Sequence, residues 1–307
     1  MGDCKKFDLS NRSDFVLDSE LKNLLDSHYA LRNTEFELSF DKPDPLFAVK
    51  KNLTQNNIDE IAVLCALLAY GNAGQILKTL LKLDFRILGD KSAIERANFP
   101  LYRFQTSEDI KNIFLAMSDI ITQGGIRCVF MEAYLAQKNA NLAQNHATLR
   151  ESKRESKAES KYDSIESPVI CGINAMIDAL FIALQNNNAN LTQGLRFLIG
   201  QKATNPRTSS PLKRWNLFLR WMGRKDNIDL GLWQNPQNAR DSLDKADLIL
   251  PLDTHTFRLS KKLNLLQGKT YNLYSALEIT RNLARFCADD PVKYDFALYR
   301  LGQEKLL

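Results

Sequence analysis

An all-α fold is predicted by the spacing of apolar residues, the composition and the cysteine pattern. Apolar residues recur at helical spacing along most of the 307 residues, and strand-length alternation is hard to find. The chain is 44% hydrophobic and 25% charged, as in an ordinary soluble protein. Its five scattered cysteines include no Cys-x-x-Cys pair, so neither zinc nor an iron–sulfur cluster is expected. Because domains commonly hold about 100–200 residues, the chain could form one elongated unit or two lobes. We expect no metal or other cofactor.

Residues 1–135 are interpreted as one helical region. Residues 14–30 place leucines and aromatic residues near one helical face, and the proline-containing stretch 41–45 ends that segment. Between Asp59 and Tyr70 the residues are apolar nearly all round, which predicts a buried helix that stops at Gly71. Two further amphipathic segments follow, at 75–88 and 108–137.

Residues 136–167 are polar and repetitive, with three Glu-Ser-Lys repeats between positions 151 and 161. In a helix these repeats would align like charges at four-residue spacing, which is mildly destabilising. We interpret the segment as a flexible, low-complexity insertion, and a solvated helical extension is the alternative. Helices are expected to resume in the third region, 168–307, with Pro168 as a first helical residue.

The charge and the N-terminal sequence bear on partners and location. A formal net charge of +5 is compatible with a polyanionic partner. The N-terminal residues lack the apolar core of a signal peptide, and no apolar run approaches the roughly 18 residues that a membrane span needs. We therefore expect a cytoplasmic, monomeric protein without a membrane partner.

A helix with one apolar and one basic side is predicted after Ser210 and Pro211, which resemble an N-cap and a first helical residue. Lys213 then falls in the first turn, where the positive end of the helix should lower its pKa and favour the free amine. The alternative is a surface lysine whose ammonium reaches solvent. The basic side is completed by Arg220 and Arg224. The apolar side contains Trp215, Phe218, Leu219 and Met222.

The stretch Pro251–Leu263 places a single carboxylate at the mouth of a second helix. Asp253 follows an apolar run and precedes an amphipathic, basic segment, so its ordinary role would be an N-cap. A catalytic role is the alternative. His255, two residues on, is expected to be structural, with a proton shuttle as the alternative, because no second histidine accompanies it. Trp215 and Trp221 could stack on bases, but their neighbours favour core packing.

The segment Pro251-Leu252-Asp253-Thr254-His255, followed by Arg258 and Lys262-Leu263-Asn264-Leu265, resembles a signature of the helix-hairpin-helix DNA glycosylases, the endonuclease III superfamily. Together with residues 212–222 and 290–298, it resembles more closely a bacterial family related to those glycosylases, domain of unknown function 2400. The resemblance implies a two-lobed helical fold like that of the glycosylases.

The resemblance also implies roles for individual residues. Asp253 matches the catalytic aspartate, which helps to activate a nucleophile and stabilises the positive charge that builds on the sugar as the base leaves. Lys213 would be the lysine of the bifunctional members, which attacks the sugar C1′ and forms a Schiff base, and Lys202 is the alternative. Phosphate contacts would come from basic residues on the two helices, namely Arg214, Arg220, Arg224 and Arg258.

The predicted function is a DNA-repair glycosylase of base excision repair, with or without lyase activity, acting on a damaged or modified base in double-stranded DNA. The target base must leave the stack before such residues can reach its sugar. A non-catalytic DNA- or RNA-binding module of the same fold is one alternative, and an enzyme acting on a nucleoside or on RNA is another. No spacing rule identifies the base.

Overall fold

The computed structural model describes residues 14–39, 41–151, 165–235, 237–238 and 241–304. Within these ranges it contains thirteen α-helices and two isolated β-bridges but no strand, which confirms the predicted all-α fold. The helices are α1 (Asp14–Arg32), α2 (Leu46–Lys51), α3 (Ile58–Leu67), α4 (Ala73–Leu80), α5 (Lys91–Arg96), α6 (Ser107–Thr122), α7 (Ile126–Glu151), α8 (Pro168–Asn186), α9 (Gln193–Ile199), α10 (Lys213–Gly223), α11 (Thr254–Lys262), α12 (Leu273–Ala284) and α13 (Asp295–Gln303). Short 3-10 helices occur at Glu35–Glu37, Phe85–Ile87 and Lys245–Asp247.

The core is built around α3, which is buried on nearly every side as its composition predicts. This helix packs against α2, α7 and α10, while α8 packs against α6 and α7. Helix α13 packs against both α1 and α11. Helices from residues 1–135 and from residues 168–307 therefore share one apolar core, and α3 and α10 meet at its centre.

Helix α10 begins at Lys213, three residues after the predicted N-cap at Ser210. Leu212 precedes it in the left-handed region, with φ of 52° and ψ of 34°, so a helix cannot run through from Pro211. The Leu212 side chain is buried, and the Asn216 side chain donates a hydrogen bond to the Pro211 carbonyl at 3.1 Å. The start of α10 is thus set by tertiary packing, and Lys213 becomes its first residue.

Helix α7 extends into the segment that was predicted to be a flexible insertion. Residues 136–151 continue this helix, which corresponds to the alternative interpretation for that part. Gln137 donates a hydrogen bond to the Asn141 side chain, and Asn141 donates to the Glu166 carbonyl, so both ends of the segment are anchored. Residues 152–164 lie outside the described residues, and α8 begins at Pro168 as predicted.

Helix α8 is, among the described residues, the single helix long and apolar enough to cross a membrane unaided, a candidate that the sequence analysis did not anticipate. Half of its most apolar 18-residue stretch is buried inside the protein, as is usual for a helix that belongs to a protein core. Helices α6 and α7 are long and apolar enough for a membrane span only if they are taken as one segment, which would be bent by 66°. The contacts of α8 with α6 and α7 account for its apolar composition.

Candidate active site

A cavity of about 680 Å³ lies where the starts of several helices converge. Its lining includes the first residues of α4, α10, α11 and α13, each of which has at least eight residues. Helix starts carry unpaired backbone N–H groups and a partial positive charge. Side chains cap the starts of α4 and α11, whereas the starts of α10 and α13 have no side-chain cap. The part of the wall formed by α10 and α13 is therefore the part that suits an anionic group.

Lys213 lies in this cavity and not on the outer surface. Its side chain is half-buried, and among the described residues no carboxylate forms an ion pair with its amine. Burial lowers the pKa of Lys213 below its ordinary value of 10.5, against the opposing effect of Asp253, Asp295 and Asp44. The lower pKa was predicted from the position of Lys213 at a helix end, and the structure shows burial as a further cause. A lowered pKa increases the fraction of free amine, the form that acts as a nucleophile.

Asp253 is both an N-cap and a cavity residue. Its Oδ1 accepts a hydrogen bond from the Thr256 backbone N–H at 2.7 Å, which confirms the predicted cap of α11. It also lines the cavity that contains Lys213 and acts on that lysine electrostatically. Next to it, the Tyr271 hydroxyl donates to the Leu252 carbonyl at 2.7 Å, and burial raises the pKa of Tyr271 to about 12, with Asp253 adding to the shift.

His255 lies at the edge of the cavity with an exposed side chain. Its ring meets Tyr299 edge to face at 6.5 Å between centroids. Within the described part of the chain, the imidazole makes no hydrogen bond to Asp253. This geometry gives His255 a packing contact with α13, and its structural role stays a prediction.

Two carboxylates of the cavity were not predicted as site residues. Asp295 is the first residue of α13, is buried, and accepts a hydrogen bond from the Arg220 guanidinium. Burial raises the pKa of Asp295 to about 6 against the effect of Arg220, and Asp253 adds to the shift. Asp44 accepts a hydrogen bond from the Leu46 backbone N–H at 2.9 Å. Asp295 could have been identified from the sequence, because it lies in the segment 290–298 that carried the family resemblance. Asp44 could not, because its sequence surroundings indicate only a break between helices.

Arg220 and Arg224 do not form a solvent-facing basic side of α10, which corrects the prediction for both residues. Each is only 3% exposed, and both pair with buried carboxylates. Arg220 joins Asp229 and Asp295, and the carboxylates raise its pKa although burial opposes the charge. Arg224 has three partners, Asp226, Asp229 and Asp290. The reason is that α10 is enclosed on all sides, so its polar side faces other parts of the protein and is not available to phosphate.

We expect the Arg220→Met variant to lose about 3–5 kcal/mol of unfolding free energy, because it leaves Asp229 and Asp295 with less charge compensation in the interior. Urea unfolding followed by circular dichroism measures the loss. The control is Arg86→Met, which removes an ion pair with Asp84 on an exposed side chain and should change stability little. Equal, small effects of the two substitutions would contradict a structural role for the buried network.

Arg214 and Arg258 occupy different environments. Arg214 lines the cavity, donates to the carbonyls of Leu67 at 2.8 Å and Phe197 at 2.5 Å, and lies over two aromatic rings. Burial lowers the pKa of Arg214 to about 10. Two of its guanidinium N–H groups are thus committed to backbone, which leaves few for phosphate. Arg258 is exposed on α11 and, among the described residues, has no ion-pair partner, so it is available for the predicted phosphate contact.

The two tryptophans of α10 are core residues, and the alternative nucleophile Lys202 lies outside the cavity. Trp215 and Trp221 are buried, which confirms core packing, and the Trp215 indole donates to the Ile199 carbonyl at 2.9 Å. Lys202, the alternative nucleophile, is exposed, pairs with Asp178 at 2.9 Å and does not line the cavity. Of the two lysines, only Lys213 is therefore brought together with Asp253.

The fold and the site define an all-helical protein in which a half-buried lysine, without an ion-pair partner among the described residues, shares a cavity with three carboxylates, those of Asp44, Asp253 and Asp295. The chain belongs to the family described as protein of unknown function (DUF2400), whose model matches residues 44–304. That range includes Lys213, Asp253 and Asp295. Comparison with curated proteins and with solved structures gives no match. The relation to the helix-hairpin-helix glycosylases stays a prediction from the sequence.

Proposed function

We propose that the protein is a DNA glycosylase with lyase activity, acting on a damaged or modified base in double-stranded DNA. The observation that carries the proposal is the half-buried amine of Lys213, unpaired among the described residues, in one cavity with Asp253. An amine with a lowered pKa and a nearby carboxylate are the groups that imine chemistry at a sugar carbon requires. The cavity volume of about 680 Å³ is within the range of small-molecule sites.

In the proposed reaction the target nucleotide leaves the duplex and enters the cavity. The free amine of Lys213 forms a bond to the sugar C1′, and the bond from C1′ to the base breaks with its electron pair passing to the base. Asp253 stabilises the positive charge on the sugar during this step. The lysine nitrogen then loses two protons, one to the ring oxygen as the C1′–O4′ bond breaks and one to solvent, and an imine forms between the nitrogen and C1′. Loss of a proton from C2′ forms a C2′–C3′ double bond while the C3′–O bond breaks, and its electron pair leaves with the 3′ phosphate.

The helix starts around the cavity support binding of a nucleic acid. The starts of α10 and α13 have no side-chain cap, so they favour anions and can hold a phosphate next to the extruded sugar. Arg258, exposed on the same helix that Asp253 caps, would add a contact outside the cavity. Because such contacts displace counterions, affinity should fall as the salt concentration rises.

Borohydride trapping on a panel of duplexes with different base lesions tests the proposal. Reduction of the imine would leave a covalent protein–DNA adduct, and peptide mapping would place it on Lys213. Base release without an adduct would indicate a glycosylase without lyase activity. DNA binding with neither product across the panel would favour a non-catalytic module of the same fold. The cap that Asp253 provides to α11 is the observation that favours this second candidate, because it explains the acid without chemistry.

We expect the single-turnover rate of trapping to rise with pH and to level off below the pH at which an ordinary lysine titrates. The reason is that burial lowers the pKa of Lys213, so its free amine predominates at a lower pH than in solvent. Rates measured across neutral and alkaline pH on one lesion give the midpoint. A midpoint at the usual lysine value of 10.5 would contradict a buried nucleophile.

A further inference from the structure

A two-residue turn exposes an arginine and a phenylalanine beside the mouth of the cavity. Tyr102 and Gln105 exchange two backbone hydrogen bonds, of 3.1 and 2.9 Å, and the turn between them consists of Arg103 and Phe104. The Phe104 side chain is 58% exposed. Arg103 has a φ of 52°, in the left-handed region that favours glycine. The chain thus keeps a large apolar ring in solvent at the tip of a strained turn.

Buried polar groups hold this turn in place. The Tyr102 hydroxyl donates to the Tyr70 carbonyl at 2.5 Å, and the Gln105 side chain donates to the Gly194 carbonyl at 2.8 Å. A Cβ atom on Gly194 would lie 2.5 Å from the Phe104 carbonyl oxygen, so glycine is needed for this close approach. Strain that is maintained by a buried, hydrogen-bonded base is characteristic of functional positions.

The exposed ring belongs to a cluster that continues into the cavity. The rings of Phe104 and Tyr70 are parallel within 1°, with centroids 6.2 Å apart, and Phe104 meets Phe197 edge to face at 5.0 Å. Tyr70 and Phe197 line the cavity, and Phe197 is itself 41% exposed. We call Tyr70, Phe104 and Phe197 the aromatic rim.

Two guanidinium groups interleave with the aromatic rim. Arg103 lies 5.6 Å from the centroids of both Tyr70 and Phe104, and Arg214 lies 5.4 Å from Tyr70 and 5.0 Å from Phe197. In the part of the chain that the structure describes, neither guanidinium forms an ion pair with a carboxylate. Exposed rings alone would suit an apolar partner. Rings combined with the exposed Arg103, which has no ion-pair partner among the described residues, instead suit a polyanion that carries flat, stackable groups, which is the chemistry of single-stranded nucleic acid.

We propose that the aromatic rim binds unpaired nucleobases of a nucleic-acid strand outside the cavity, by stacking on Phe104 and Phe197 next to Arg103. The inference rests on the proposed function for its choice of nucleic acid, but it concerns bases that do not react. It predicts that the protein binds a lesion-free single strand more tightly than a fully paired duplex of the same sequence.

Fluorescence anisotropy with a labelled, lesion-free single-stranded oligonucleotide tests the stacking. We expect Phe104→Leu, which keeps an apolar side chain, to raise the Kd for the single strand about tenfold while leaving the Kd for the duplex nearly unchanged. The matched control is Phe36→Leu, because Phe36 is 87% exposed and does not line the cavity. Arg103→Gly, which tolerates the positive φ, should also weaken single-strand binding and reduce its salt dependence.

An unchanged single-strand Kd in Phe104→Leu, or an equal loss in Phe36→Leu, would overturn the inference. Equal losses for single strand and duplex would also overturn it, because stacking on unpaired bases would then not be the cause. Sedimentation of the protein alone tests whether a second copy of the chain covers the aromatic rim. Self-association that is lost in Phe104→Leu would assign the rim to that second copy and overturn the inference. If no lesion gives an adduct but Phe104 still controls single-strand binding, the proposed reaction fails and the stacking inference stands. If an adduct forms but Phe104→Leu leaves the Kd for the single strand unchanged, the proposed reaction stands and the stacking inference fails.

Discussion

Substitution of Lys213 by glutamine is expected to eliminate the borohydride-trapped adduct on every lesion that the unmodified protein traps. Glutamine has no amine, so it cannot form an imine with the sugar. The substitution should not unfold the protein, because among the described residues the Lys213 amine forms no ion pair that would be lost. Removal of a half-buried positive charge that has no ion-pair partner among the described residues should leave the unfolding free energy unchanged or slightly higher.

Lys202→Gln is the matched control for this experiment. Lys202 is exposed, pairs with Asp178 and does not line the cavity, so its loss should leave adduct formation intact. Adduct yield and the urea midpoint are measured for both variants on the same lesion. An adduct that persists in Lys213→Gln, or that disappears in Lys202→Gln while the protein stays folded, would contradict the assignment of the nucleophile.

Local patterns in the sequence were sufficient to predict the helices but not all of their surroundings. The all-round apolar pattern of residues 59–70 correctly indicated a buried helix, because a helix without a polar side must be enclosed. For α10, the same reasoning placed Arg220 and Arg224 in solvent, opposite the tryptophans. Their carboxylate partners come from later parts of the chain, such as Asp229 and Asp295, and no local spacing reveals such pairs.

The candidate site shows the same division between local and tertiary information. Asp253 and Lys213 each occupy a position that local rules mark, one as an N-cap and the other as a cation in a first turn. Their placement in one cavity depends on how α10 and α11 pack, which the sequence could state only as a hypothesis. The start of α10 was predicted two residues too early, at Pro211 instead of Lys213, because the left-handed backbone of Leu212 is imposed by burial of its side chain.

The buried ion network also explains how the cavity is held in shape. Arg220 projects from α10 and binds Asp295, the first residue of α13, while Arg224, the residue that follows α10, binds Asp290 shortly before α13. These charge-assisted contacts fix the start of α13 relative to α10, and therefore fix Asp295 relative to Lys213. The two arginines that were expected to bind DNA instead position the residues that line the cavity.

Asp253→Asn is expected to lower the rate of adduct formation about a hundredfold or more while leaving the protein folded. The amide loses the negative charge that would stabilise the sugar in the transition state. Its oxygen can still accept the hydrogen bond from the Thr256 N–H, and asparagine caps helices about as well as aspartate, so stability should change by less than about 0.5 kcal/mol. Asp253→Ala should lose both functions, including about 1 kcal/mol from the missing cap.

The N-cap of α5 provides the control that separates capping from chemistry. Asp90 accepts a hydrogen bond from the Ala93 N–H at 3.0 Å, in the same geometry as Asp253, but it is exposed and does not line the cavity. Asp90→Ala should therefore destabilise the protein to a similar extent and leave single-turnover adduct formation unchanged, and Asp90→Asn should change neither. If Asp253→Asn forms the adduct at the normal rate and Asp253→Ala differs only in stability, then Asp253 acts solely as a cap. In that case the lysine would form its imine without help from this carboxylate, because a group required for charge stabilisation cannot be neutralised without slowing the step.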